Sequence, residues 1–334
     1  MRFAVSMLST HNILLIRLKS IGDVVLTLPA VNAVRESFPS ANITFLTLKQ
    51  NAPLLRGFRE VDDVIALDRE ALRSPFHAGP EILRLLRRLR AGKFSLVVDF
   101  QGYGETAWLS WWTDAPERWG SVYGKGRAWA YTKGIQRDDG LLIADWNLSL
   151  LRQCGLSFNH VANEYILPAD ALDAARQIFA ANRLDPNRQT LFIQALTSSP
   201  AKNWPLENFL SLAKYWRGRG VQIIFGGGPG DIAALEPVRA AGYFVAAGNS
   251  LMVSAGLVKL STLAIGGVTG ILHLAVAMQK RLVMLVGPAS EPGFPYQHRD
   301  WGLTPETGDR VADIQIPAVI AACERAFNEC AGKT

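Results

Sequence analysis

The feature that most constrains this chain is a series of apolar runs of strand length, continuous rather than alternating, separated by segments whose apolar residues recur three and four apart. A strand with one wet face alternates apolar and polar side chains. An unbroken run suits a strand buried on both faces, as in a parallel sheet covered by helices. In the first half the runs are residues 13–18, 43–48, 64–67 and 96–100; in the second they are 191–194, 221–225, 244–246, 263–265 and 282–286. Helical spacing is clearest over 205–217, 231–241, 269–278 and 311–328. Strand, helix, strand repetition in each half predicts two doubly wound α/β domains in series with right-handed crossovers. A length of 334 residues agrees, since it exceeds what one core usually serves. The expected division is a domain over 1–167, a junction over 168–189 and a second domain over 190–334. Pro168, Pro186 and Asn187 are the breakers in the junction, around a helix-like stretch at 171–182.

Composition bounds the setting. An apolar fraction of 49% against 19% charged residues supplies two cores and lies far from disordered chains. Cys154, Cys323 and Cys330 show no Cys-x-x-Cys spacing and are too few for a disulfide framework, which points to a reducing compartment. Residues 1–12 carry only Arg2 as a positive residue and no apolar core of signal-peptide length. No apolar run reaches the roughly 18 to 20 residues that span a bilayer, so a cytoplasmic protein, soluble or peripheral, is expected. The net charge of +6 favours anionic partners, with nucleic acid, anionic lipid and phosphorylated sugars all of the right sign.

Ligands of open α/β sheets bind beyond the carboxyl ends of the strands, so chemistry is sought in the loops that follow them. The first is Lys19-Ser20-Ile21-Gly22-Asp23. Asp23 fits two roles there, an N-terminal cap for the next helix and a general base at the mouth of a cleft between domains. This loop has neither Gly-x-Gly-x-x-Gly nor a Gly-Lys-Ser/Thr ending, which removes the simplest dinucleotide and P-loop readings. The glycine cluster 226–230, followed by Asp231, serves a tight turn as well as a ligand. In the stretch 266–273, Thr269 and Gly270 open a helix whose free amides and dipole suit an anion such as a diphosphate. His273 is either a further contact or a satisfied core residue. Thr197, Ser198, Ser199 and Lys202 sit on another loop after a strand, where hydroxyls and one cation can neutralise phosphate, or the lysine is simply solvated. No cluster of His, Asp and Cys suggests a metal. Leu83, Leu86 and Leu89, interleaved with Arg84, Arg87, Arg88 and Arg90, make a basic amphipathic helix that suits an anionic membrane leaflet or a solvated face over a core. Trp108, Trp111 and Trp112 follow the fourth strand and suit the lining of a ligand site or packing.

Four segments in this order and at these separations resemble glycosyltransferase family 9, the ADP-heptose:lipopolysaccharide heptosyltransferases. They are ILLIRLKSIGDVVLTLPAV at 13–31, LVVDFQGYGETAWLS at 96–110, KNWPLENFLSLAKYWRGRGVQIIFGGGPGD at 202–231 and GGVTGILHLAVAMQKRLVMLVGP at 266–288. The resemblance implies a GT-B fold, two Rossmann-like doubly wound parallel-sheet domains facing an interdomain cleft. It implies inverting transfer of a heptose or related sugar from an ADP-sugar to an inner-core hydroxyl of lipopolysaccharide, on a Kdo-bearing lipid A acceptor. No metal and no nucleic-acid partner are implied, and transient contact with the inner membrane surface is compatible. In that reading Asp23 is the base, and Lys19, Ser20, Gly22 and Gln101 form the acceptor side. Lys202, Thr197, Ser198, Thr269, Gly270 and His273 hold the donor, with Asp231 at its ribose. One departure stands out: the family usually has Asp-Thr-Gly-x-x-His in the last motif, and here the aspartate position is Val268. That change fits a different nucleotide sugar or a member that binds without turnover.

Overall fold

A computed structural model describes residues 11–74, 76–159, 161–288 and 293–331. The expectation drawn from residues 1–12 lies almost wholly outside that range. The chain divides into two compact units, Met1–Asn163 and Glu164–Thr334.

In the first unit the order is β1 (Asn12–Ile16), α1 (Ile21–Val25), α2 (Leu28–Ser37), β2 (Asn42–Leu48), β3 (Asp63–Leu67), α3 (Ala78–Ala91), β4 (Leu96–Asp99), α4 (Gly104–Trp112), β5 (Glu117–Val122), β6 (Lys133–Gln136) and α5 (Ile143–Gln153). All pairs are parallel and the sheet order is β3-β2-β1-β4-β5-β6. The four apolar runs read from the sequence are β1 to β4, and their side chains Leu14, Ile16, Leu46 and Val97 meet Leu85 and Leu89 of α3 in one buried cluster. Two strands carry no such run. The sequence Lys-Gly-Ile-Gln of β6 is polar because β6 is an edge strand, half wet along its length, whereas β5, Glu-Arg-Trp-Gly-Ser-Val, lies inside the sheet with its last four residues buried. Glycine in β5 has a packing reason: a Cβ on Gly120 would lie 2.2 Å from the Tyr131 ring.

The second unit runs α6 (Ala169–Ala181), β7 (Thr190–Gln194), α7 (Leu206–Arg217), β8 (Gln222–Gly227), α8 (Glu236–Ala240), β9 (Phe244–Ala247), α9 (Leu251–Leu260), β10 (Leu263–Gly267), α10 (Gly270–Ala277), β11 (Leu282–Leu285), β12 (Gly302–Leu303) and α11 (Ile316–Ala331). Its sheet order is β12-β11-β10-β7-β8-β9, again all parallel. The helix expected inside the junction is α6, which buries Ala171, Ala175 and Phe179 and packs on α9 of this same unit. Trp204 anchors the core, edge-on to Phe209 at 4.9 Å, with its indole N–H donated to the Ile314 carbonyl at 2.8 Å. The helix expected over 231–241 is shorter. Pro237 can occupy only the first turn of a helix, so α8 starts at Glu236, and a single 3₁₀ turn, Pro229–Asp231, precedes it. The terminal helix likewise starts late, at Ile316, with Pro317 in its first turn.

Read from the first strand, each sheet has the order 3-2-1-4-5-6 of a doubly wound dinucleotide-type fold. Strand order reverses between β1 and β4 in one unit and between β7 and β10 in the other. The loops leaving those strand pairs flank a crevice at the carboxyl edge of each sheet, which is where the sequence placed its candidate residues.

Candidate functional site

In the first unit the loops after β1 and β4 are tied together. Arg17, at 7% side-chain exposure, donates from Nη1 to the Phe100 carbonyl at 2.5 Å and pairs through Nη2 with Asp23 Oδ2 at 3.0 Å. Gln101 is 2% exposed, and its Oε1 accepts the backbone N–H groups of Leu18 at 3.1 Å and Lys19 at 3.2 Å. Asn51, fully buried, donates to the Leu18 carbonyl at 2.9 Å. The strand-to-helix turn is therefore held from two sides. Asp23 is partly exposed, and Oδ2 also accepts the Ser20 N–H at 2.9 Å. It thus combines the capping role with a partly exposed position, and its side-chain contacts among the described residues fall on Oδ2. Gly22 is buried beneath the turn, Ser20 is exposed, and the Lys19 ammonium lies 5.6 Å from the centre of the Tyr103 ring. Gln101, expected on the acceptor side, is itself covered and acts on this loop through the backbone it holds.

Beneath this lies Asp99, with no exposed surface. Its Oδ1 accepts from the amides of Gln101 and Gly102 at 2.9 and 3.0 Å, and Oδ2 from the Tyr131 hydroxyl at 2.7 Å. Burial pushes its carboxyl above the ordinary value, while those hydrogen bonds pull the other way. The same burial and the neighbouring carboxylate raise the Tyr131 hydroxyl, so it stays a donor. Arg17, Asp99 and Asn51 were not singled out from the sequence. The signal was present, since a charge inside an apolar run, as in Leu-Ile-Arg-Leu or Val-Val-Asp-Phe, needs a buried partner.

In the second unit three loops converge at adjacent strand ends: after β7 (195–205), after β8 (228–231) and after β10 (268–269). The approach of the first and third is tight. A Cβ on Gly267 would meet Thr197 Cγ2 at 2.8 Å and the Lys202 carbonyl at 3.0 Å, and one on Gly266 would meet the Gln194 carbonyl at 2.2 Å. Thr197 organises its loop: its N–H is donated to Asn203 Oδ1 at 2.8 Å and its hydroxyl to the Ser199 carbonyl at 2.9 Å. Ser198 is exposed, and half-buried Lys202 has no carboxylate partner among the described residues. Asp231 accepts the Gly228 N–H at 2.8 Å through Oδ2, shaping the glycine loop.

Thr269 is the extended residue before α10, and its buried hydroxyl has no hydrogen-bond partner among the described residues. Together with Gly270 it opens an eight-residue helix whose first amides have no earlier carbonyl to bond. His273 is 5% exposed, and its own N–H bonds back to the Thr269 carbonyl at 3.1 Å. Val268 is half-buried with its methyls toward Gly293. Among the described residues no group of three His, Cys, Asp or Glu side chains could hold a metal ion. No helix among them is long and apolar enough to cross a membrane.

The sequence profile of glycosyltransferase family 9 (heptosyltransferase) matches residues 82–305, a stretch that includes β4 and all three of the second-unit loops described above. The chain belongs to glycosyltransferase family 9. Lipopolysaccharide heptosyltransferase 3 of Escherichia coli K12 is 23% identical over 222 residues, 65% of this chain; the alignment spans 64% of that relative's length. Among solved structures, the family 9 glycosyltransferase of Veillonella parvula superposes with a TM-score of 0.86 at 23% identity, over 96% of this chain and 97% of that one. The E. coli ADP-heptose lipopolysaccharide heptosyltransferase II gives 0.77 at 20% identity, over 95% and 99%. These superpositions establish the GT-B fold for this family 9 chain. The basic helix of the family 9 chain, α3, has three of its arginines paired: Arg84 with Glu81, Arg88 with Asp63 and Arg90 with Asp114, at 2.7 to 2.8 Å.

Proposed function

We propose that this chain transfers a heptose or related sugar, with inversion, from an ADP-sugar to an inner-core hydroxyl of lipopolysaccharide, Asp23 acting as general base. The observation that carries the reading is the arrangement of Asp23, held through Oδ2 by Arg17 and the Ser20 amide with Oδ1 left for a substrate. A base fixed this way removes the acceptor proton as the oxygen attacks the anomeric carbon from the face opposite the diphosphate. One displacement inverts the centre, so no covalent intermediate is needed. Negative charge on the departing ADP is met by Lys202, by the hydroxyls of Thr197, Ser198 and Thr269, and by the first amides of α10, with no metal ion required. Asp231 and His273 complete the donor side, and Lys19, Ser20 and Gly22 line the acceptor side with Gln101 holding the loop. An ADP-sugar donor and a lipid-borne acceptor place the enzyme in the cytoplasm, against the inner membrane surface.

Val268, where the family usually has aspartate, favours a second reading: a different donor sugar, or binding without turnover. The deciding experiment is mass-spectrometric detection of sugar transfer from ADP-heptose to a Kdo-bearing lipid A acceptor, in a preparation shown to bind ADP. Transfer by the wild type and none by Asp23→Asn supports the leading reading. No transfer by either, with ADP still bound, supports the second, and Val268→Asp is then the first variant to test.

A further inference from the structure

The chain that leaves β10 faces two ways. A Cβ on Gly267 would meet Thr197 and the Lys202 carbonyl, on the side of β7, whereas the next side chain, Val268, lies against the segment after β11: a Cβ on Gly293 would come within 2.5 Å of Val268 Cγ1. Successive side chains of an extended chain point to opposite faces, so this division follows from the backbone. Thr269 comes next, extended, and opens α10 with a buried hydroxyl that has no hydrogen-bond partner among the described residues. The turn that suits a diphosphate therefore stands between two walls. Thr197, Lys202 and Asp231 are on the β7 and β8 side, and Val268 and Gly293 are on the β11 side. A nucleoside diphosphate sugar laid across the turn rests its nucleoside on one wall and its sugar on the other. With Asp231 at the ribose, the sugar falls to Val268.

That wall gives a sugar hydroxyl nothing to bond at position 268. Val268 is half-buried and presents only methyl groups, where the family's usual aspartate would present two acceptor oxygens. The valine is also fitted to its surroundings, because any Cβ at 293 would collide with it and glycine leaves that space free. One residue on from Gly293, Phe294 lines a cavity of about 410 Å³ together with Gly287, Pro288, Arg299, Gly302 and Thr304. Its size falls within the range of small-molecule sites, about 300 to 1,000 Å³. No described residue of this lining carries a carboxylate, so the acceptor missing at 268 is not replaced from there. Arg299, whose guanidinium lies 4.3 Å from the centre of the Phe294 ring, and Thr304 sit farther out, where other sugar hydroxyls would find them.

We propose that Val268 selects the donor, and that the donor is an ADP-linked deoxy sugar, lacking a hydroxyl on the carbon that faces this residue. The assignment rests on the ADP-sugar reading of the crevice and narrows it from a heptose or related sugar to a deoxy sugar. A hydroxyl pressed against the valine methyls gives up its water and gains no partner, whereas a C–H group in the same place gives up nothing.

The test is donor binding without acceptor, so that it stands apart from the question of transfer. ADP, ADP-heptose and ADP-heptose analogues lacking one hydroxyl at a time are titrated calorimetrically into the full chain. One analogue should bind the wild type about ten- to a hundredfold more tightly than ADP-heptose. Val268→Asn supplies a neutral hydrogen-bonding group at the same place. It should abolish or reverse that preference and leave ADP affinity within about twofold of the wild type. Val268→Thr, equal in shape and carrying one hydroxyl, is the variant that keeps the fold if asparagine does not, and it should narrow the preference at least about threefold. Gly293→Ala, which drives a Cβ into Val268, should weaken the favoured analogue more than ADP. Equal affinity of ADP-heptose and every analogue, tightest binding of ADP-heptose itself, or a preference undiminished in the folded Val268 variants overturns the assignment. Absence of ADP binding removes the ADP-sugar reading and this assignment with it. A deoxy preference in a protein that transfers nothing upholds the assignment and removes the transfer reading alone.

Discussion

The two units reverse strand order at the same place in the same topology, yet their crevices are furnished in opposite ways. Between β1 and β4 the polar groups are largely spent on one another: Arg17 on Phe100 and Asp23, Gln101 on the Leu18 and Lys19 amides, Asp99 on Gln101, Gly102 and Tyr131. Between β7 and β10 donors stand unspent among the described residues: the Thr269 hydroxyl, the Lys202 ammonium and the Gly270 and Ile271 amides that open α10, on loops brought close by Gly266 and Gly267. A crevice whose groups satisfy each other fixes one side chain in place, which a base requires. One with open donors can take up an anion, which a diphosphate supplies. Topology chooses where a ligand binds, and the hydrogen bonds left over choose which.

Substitutions in the two crevices should therefore fail differently. The largest effect is expected from Asp23→Asn, which keeps the shape but cannot take a proton: turnover should fall by about 10² to 10⁴ with ADP affinity unchanged. Turnover within a fewfold of the wild type would show that the first crevice does not supply the base. Lys202→Ala in the second crevice should do the reverse, weakening ADP in a calorimetric titration by roughly 1.5 to 3 kcal/mol, the value of a charged hydrogen bond. Equal ADP affinity would place that lysine in solvent.

A third contrast concerns packing. Gly266→Ala puts a Cβ 2.2 Å from a neighbouring strand's carbonyl, and a loss of about 1 to 3 kcal/mol in denaturant unfolding is expected. Gly104→Ala at the start of α4 meets nothing within 4 Å and should cost nothing by the same measurement. Equal effects would mean that the close approach of the chain after β7 and β10 is not enforced by backbone contact.

The smallest effect should come from Asp99→Asn. Because burial raises the Asp99 carboxyl, its charge opposes folding at neutral pH and that opposition lifts as the pH falls toward the ordinary carboxylate range. The wild type should gain stability relative to Asp99→Asn between pH 7 and pH 4 in urea unfolding. A difference independent of pH would show that the proton on this site does not change over that interval.

How much of this was legible varies with the reach of the interaction. The continuous runs that became β1 to β4 and β7 to β11 were readable because burial on both faces acts on each strand alone. Strands β5, β6 and β12 were not, because Gly120 is there for the ring of Tyr131, β6 is half wet and β12 has only two residues. The late starts of α8 and α11 follow from Pro237 and Pro317, a local rule that the apolar spacing overrode in the reading. Asp23, Lys202 and Thr269 were found by their position after strands. Arg17 and Asp99, which hold the loops after β1 and β4, were passed over as parts of strands.

The sequence by itself determined two parallel α/β units, the strand ends where chemistry could sit, and membership in a family through four ordered motifs. All of these depend on residues near one another along the chain, where periodicity and backbone preference act. Only the tertiary structure decided that Gln101 lies under the loop at Lys19 rather than facing a ligand, and that Arg17 is fixed between Asp23 and the Phe100 carbonyl. Gln101 and Arg17 reach across 82 or 83 positions to do so, through Leu18, Lys19 and Phe100, and those hydrogen bonds exist only once β1 and β4 have found each other.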